Sequence, residues 1–317
     1  MKKTGWILGM ILILFSCEEE RKLDVDVSHI PVEVKITRFD KLFYGQPADR
    51  LPGLKKRFPF LFPEDIPDSL WINKMQDSLL LDLKTQVDSV FPDNNLISRE
   101  TENVLKHVKY YFPAFKEPEI ITLYSDWDYT KRILYSDTLT FLFLDNFLGK
   151  DNRVYNGIPM YIRQTMTPQH MAPALAEEMA KTLVSPPKIR DFLSKMIYYG
   201  KILYLKKAFA PQKPDSVIIG YSSEKWKWAQ ENEANVWLYF LDNKILYDTD
   251  PQLDNRFLNW APFSKFYTEA DNESAGMIGQ YMGWQMVKKY MNKTGASLEE
   301  MIKTPAEEIF RKSKYKP

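Results

Sequence analysis

Apolar and polar residues alternate along Val32–Asp40 (VEVKITRFD), the period of a half-buried β-strand. From Asp68 to Phe91 the period changes. Ile72, Met75, Leu79, Leu83, Val87 and Val90 follow at steps of three or four, which keeps them on one helical face, and Asp68 after Pro67 supplies an N-cap. The segment SRETENVLKHVKYYF predicts another helix, opened by Ser98 and stopped by Pro113. Between Glu119 and Gly149, β-rich runs at 120–125, 131–136 and 138–144 are separated by polar turns, which predicts a small, mainly antiparallel sheet. After Gly157 and Pro159 the pattern turns helical almost to the end, over 173–184, 190–209, 223–246, 276–293, 298–303 and 305–313. Ser297 with Glu300 three residues on, and Thr304 with Pro305 and Glu307, mark the last two starts. The expected fold is a helix-rich α+β domain over 32–317, with a β-containing part at about 32–160 and a helical part at about 161–317.

The start of the chain sets a compartment. Lys2 and Lys3 precede the apolar run Trp6–Phe15. Ten residues span about 15 Å as a helix, roughly half a bilayer's hydrocarbon core, so residues 1–16 read as a signal peptide and not a spanning helix. LFSC (Leu14–Cys17) resembles a bacterial lipobox, which implies cleavage before Cys17 and lipid attachment there. The polar stretch EEERKLDVDVSH behind it predicts a lipidated tether over 17–31. Because Cys17 is the only cysteine, no intrachain disulfide can form, and the fold must rest on a hydrophobic core to which 14% aromatic residues contribute large side chains.

Charge removes two classes of partner. The chain carries 43 basic and 42 acidic side chains, and losing Lys2 and Lys3 with the leader leaves the signs balanced to within one. Such a balance gives no long-range field for nucleic acid or an anionic membrane surface.

One helix has the outline of a zinc-protease helix. LAEEMAKTL (Leu175–Leu183) places Glu177 where such a helix carries its general base, but puts Ala176 and Ala180 where two imidazoles would bind the metal. Alanine offers no lone pair, so no zinc site of that design forms. The three histidines do not rescue it. His29 lies in the tether, His107 sits on an earlier helix, and His170 is six residues before Ala176, with Pro173 opposing extension of the helix towards it. Glu231 and Glu233 are ordinary for a solvated face, and the aspartates of Asp248–Asp254 suit turns better than a calcium loop. No G-x-S-x-G elbow, Gly-rich phosphate loop or free cysteine nucleophile is present. The sequence therefore nominates no catalytic residue, metal or cofactor. The order of elements, a sheet followed by a helical half, resembles zincin domains without their metal ligands.

Two features stand out as candidate surfaces. Residues 247–274 form a long segment with few regular signals, rich in Asp and Asn yet carrying Phe257, Trp260, Phe263, Phe266 and Tyr267. These aromatics either pin the segment to the core or form a partner surface. Next, Gly276, Gly279 and Gly283 fall within about 60° on one helical face, a bare ridge suited to close backbone packing.

The strings ITRFDKLFYGQ, LKKRFPFLFPEDIPDSLW, VKYYFPAFKEP, ENEANVWLYFLDNKILYDTDPQL, NWAPFSKFYTEADNESAG, IGQYMGWQMVKKYM and the ending IFRKSKYKP resemble the gliding-motility-associated lipoprotein GldB family of Bacteroidota, over nearly the whole chain. The resemblance implies a lipoprotein of the cell envelope, anchored through Cys17 and facing the periplasm. Its partners would be other envelope proteins of a gliding or secretion apparatus, with no established enzymatic activity and no catalytic residues to carry over. Glu18–Glu20 resembles the sorting signals that follow the acylated cysteine in lipoproteins of that phylum. Two other readings remain open: a metallopeptidase-like hydrolase with non-standard ligands, and a binding module for peptidoglycan or a small ligand.

Overall fold

Of the nine alternating residues at Val32–Asp40, only strand β1 (Ile36–Thr37) pairs in the computed structural model, which describes residues 23–317. The expected signal peptide and Cys17 lie outside the described residues. Helices α1 (Phe39–Phe43), α2 (Leu51–Arg57), α3 (Asp68–Met75), α4 (Ser78–Val90) and α5 (Asn95–Tyr111) follow, and the sheet is completed by β2 (Glu119–Leu123), β3 (Ile133–Tyr135) and β4 (Leu139–Phe143).

The sheet corrects one expectation. Its order is β1-β2-β4-β3, with β1–β2 and β2–β4 parallel and only β3–β4 antiparallel, so it is mixed and not mainly antiparallel. Helices α1–α5 form the long crossover that a parallel β1–β2 pair requires. The β3–β4 hairpin then inserts β4 beside β2 and leaves β3 at the edge. Burial agrees with this order: Ile120, Ile121 and Thr122 are buried on both faces of β2, the mark of a covered central strand.

The amphipathic run 68–91 is two helices. Asp77 accepts from the backbone N–H groups of Leu79 and Leu80 and caps α4. The break re-aims the second helix, so that Leu80, Leu83 and Val87 turn inward while Leu79 is left exposed. Helix α5 starts ahead of Ser98, where Asp93 accepts from Asn95 N–H at 2.8 Å, and stops before Pro113.

The later helices are α6 (Met160–Arg163), α7 (Met171–Leu183), α8 (Phe192–Phe209), α9 (Asp215–Ile219), α10 (Ser223–Glu231), α11 (Glu233–Asp242), α12 (Ile278–Thr294), α13 (Leu298–Lys303) and α14 (Ala306–Ser313). The helix expected over 223–246 is divided at Asn232. Helix α8 is buried nearly all round its axis, as befits a central helix that packs against α7, α12, α14 and α5. Even its Lys201 is buried. The ammonium donates to the carbonyls of Ile302 (2.9 Å) and Thr304 (2.7 Å), which the end of α13 leaves without helical partners. The expected capping box of Ser297 and Glu300 opens α13.

The glycine ridge is a backbone contact. A Cβ on Gly283 would stand 1.8 Å from Met196 O, and one on Gly200 would stand 2.3 Å from Gly283 O, so α8 and α12 touch main chain to main chain. Gly279 meets Leu258, Phe192 and Phe257. Gly276 precedes the helix, which begins at Ile278, and faces Ala261 O from a loop.

The hydrophobic cluster runs from Leu23 to Tyr315. Leu23 and Val27 are buried, Tyr111 donates to Leu23 O and Lys109 to Pro31 O. The stretch from residue 23 to 31 is therefore laid along α5.

Candidate functional site

Helix α7 packs beneath edge strand β3 and against α8, and a cavity of about 450 Å³ opens between them. Pro173, Ala174, Glu177, Glu178 and Lys181 line it, an arc of about 140° on α7. Ala176 and Ala180 fall beside that arc and are completely buried, so the two would-be ligand positions serve packing.

The structure brings His170 to this cavity, against expectation. Pro173 does not stop α7 from starting at Met171, because the first-turn N–H it lacks would have no helical partner anyway. A 3₁₀ turn (Pro168–His170) precedes the helix, so His170 does not follow the α-helical rotation that would carry it away. Its Nδ1 bonds the Thr167 hydroxyl at 2.8 Å. Burial first, then the cations Arg132, Lys206 and Lys213, push its pKa down to about 3 and keep the ring neutral. His107, by contrast, is buried in α5 with Nδ1 on Asn103 O, and His29 lies in an exposed turn.

Glu177 is held between two ammonium groups, Lys206 at 2.7 Å and Lys181 at 2.9 Å. Burial alone would raise its pKa, but the two lysines outweigh burial and hold it well below the usual carboxylate range. A general base works best near the operating pH. This carboxylate is fixed in its ionised form with little basicity.

Among the described residues no group of three or more His, Cys, Asp or Glu is placed to hold a metal ion. Glu233 is occupied by the hydroxyls of Tyr281 (2.8 Å) and Tyr315 (2.5 Å), Glu231 is exposed, and Asp248 and Asp250 accept from backbone N–H groups two residues on.

The residue that sequence reading missed is Arg132, just before β3. Its guanidinium donates to Thr165 O (3.1 Å) and Thr165 Oγ1 (2.8 Å) and lies 5.0 Å from the Trp260 ring centroid. A lone arginine beside an apolar run carries no signal in sequence; the chain fold alone sets it over α7.

The five aromatics of the long segment divide. Phe257 is completely buried against Phe192, Phe240 and Phe266, and Phe266 is half-buried against Tyr239. Trp260 is 38% exposed and forms a wall shared with a second cavity of about 510 Å³, which Phe263 also lines. Tyr267 is 71% exposed and in the left-handed region at φ 64°, with Arg256 over its ring. Asp271 fixes that turn by accepting from the N–H groups of Phe266, Tyr267 and Thr268.

Residues 20–317 match the family described as gliding motility protein GldB. The chain belongs to the GldB family. The match spans nearly the whole chain, including every element described above, and associates this GldB chain with gliding motility and with lipoproteins of the cell envelope. Neither a curated protein nor a solved structure matches it. Among the described residues no helix is long and apolar enough to cross a membrane.

Proposed function

We propose that this GldB-family protein acts by contact and not by catalysis, as an interaction component of a gliding motility or associated secretion apparatus. Lipid on Cys17 would hold it to a membrane of the envelope, facing the periplasm. The observation that supports the reading is the state of Glu177: it is flanked by the buried Ala176 and Ala180, which offer no metal-binding atom, and clamped by Lys206 and Lys181, which lower its basicity towards water. The proposed partner surface is the outer side of residues 247–274. There Trp260 and Tyr267 are exposed and Phe263 is half-buried, while Phe257 and Phe266 hold the segment down. A left-handed backbone at Tyr267 costs roughly 1–2 kcal/mol, and such strain gathers at sites of recognition.

The test is a photo-crosslinking residue at Tyr267 in living cells, with one at the exposed Leu79 on α4 as control. A discrete adduct with another envelope protein from position 267 alone is expected. Adducts of equal yield and pattern from both positions, or none from 267, would remove the segment from the account.

A further inference from the structure

Arg132 is a half-buried cation that makes no ion pair among the described residues. Among the described residues no carboxylate lies within ion-pair distance of its guanidinium, and only two of its five N–H groups are bonded, both to Thr165. The carboxylates that share the cavity are committed elsewhere: Glu177 to Lys206 and Lys181, Glu178 to Lys181. Three cations therefore face two anions across a space of about 450 Å³, with His170 neutral beside them. Burial lowers Arg132 to about 10, so it stays charged at every physiological pH. Its plane is fixed in advance by Thr165 on one side and Trp260 on the other. The remaining walls are largely apolar, including Ile133, Ile202, Leu203 and Leu258. Cavities of this size and mixture hold small ligands in an orientation set by a few polar groups.

We propose that the cavity between α7, α8 and β3 binds a ligand that presents a carboxylate on an apolar body, with Arg132 as its anchor. Guanidinium and carboxylate match in a planar, two-bond fork, and the free N–H groups of Arg132 supply that fork. When His170 Nδ1 accepts the Thr167 hydroxyl proton, its Nε2 carries an N–H as a further donor. Such a carboxylate has two sources, the C-terminus of a peptide or a free small acid. The edge strand separates them. Arg132 and Ser136 bond to β4 through their backbones, so in the antiparallel register Ile133 and Tyr135 direct theirs to the open edge, where an extended peptide would add as a strand. This proposal rests on reading the cleft as a recognition site and not a catalytic one.

The experiment is calorimetric titration of the full-length protein, purified in detergent, with three probes. These are acetyl-Ala-Leu-Phe with a free carboxylate, its C-terminal amide, and 3-phenylpropionate. The expected result is that the carboxylate peptide binds roughly tenfold or more tighter than the amide. Arg132→Met should abolish that difference, and the acid–amide comparison on the unaltered protein stands even where the variant fails to fold. Peptide acid tighter than phenylpropionate assigns a chain terminus; equal affinity assigns a free acid. Equal binding of acid and amide, or no binding of either acid, overturns the proposal while leaving the non-catalytic reading untouched. Cleavage of the peptide during titration, followed by mass spectrometry, would instead overturn that reading.

Discussion

Trp260 and Phe257 lie three residues apart and should respond oppositely to truncation. Phe257 is completely buried, and removing such a ring costs roughly 3–5 kcal/mol. Trp260 is partly open and contributes a cation–π contact to Arg132 and an edge contact to Tyr161, worth about 1 kcal/mol at such a site. Denaturant melts of Phe257→Ala and Trp260→Ala should differ accordingly, while Trp260→Ala weakens partner or ligand binding by roughly 2 kcal/mol. Equal losses in the two melts would assign Trp260 to the core. His170 gives a pH dependence. Its folded pKa is depressed, so it contributes stability that is fully present above its unfolded pKa of about 6.5 and is lost as pH falls towards about 3. Between pH 6.5 and 5 that loss is ~2 kcal/mol. His107, also pushed down by burial, acts in the same direction. Unfolding free energies of His170→Asn should fall less steeply over this window; an unchanged slope would contradict the burial argument.

Element packing is most exacting where α8 crosses α12. Gly283→Ala puts a methyl group 1.8 Å from a backbone oxygen that cannot rotate away. It should cost more than the roughly 1–3 kcal/mol typical of overpacking, seen as early melting or failure to accumulate. Gly53 in α2 has nothing within 4 Å of its missing Cβ, and Gly53→Ala should stabilise by up to about 1 kcal/mol. Gly279 and Gly283 were legible because three glycines at helical spacing serve little else, whereas Gly200, their counterpart on α8, is single and gave no pattern. The long helices and the α13 capping box were legible because their signals are local. The sheet was not: whether β2 meets β4 in parallel depends on where the β3–β4 hairpin inserts, which no local alternation encodes. For the same reason, strand-like runs revealed β3 but not that Arg132 would hang over α7. The break at Asp77 was hidden because apolar spacing continues across it, and only Leu79 turning outward exposes the change of face.

At the scale of the whole molecule, a lipid on Cys17 would bring the body close to a membrane. If Cys17 is acylated, six peptide steps to the docked Leu23 reach at most ~20 Å, so the α5 side of the body stays near the bilayer. Cys17→Ser should abolish lipid labelling and leave the protein uncleaved or released; unchanged labelling and membrane retention would contradict a lipid on Cys17. Several acyl chains on one terminus anchor stably, at about 0.8 kcal/mol per buried CH₂. On the proposed function, an envelope protein tethered this way, with Glu177 held by two lysines, serves recognition. The most direct check is the metal content and hydrolytic activity of the purified full-length protein, measured by elemental analysis and by incubation with casein and a peptide library in added zinc. No stoichiometric zinc and no cleavage above the buffer rate are expected. Zinc near one equivalent, together with cleavage that disappears in a folded Glu177→Gln variant, would contradict the non-catalytic reading.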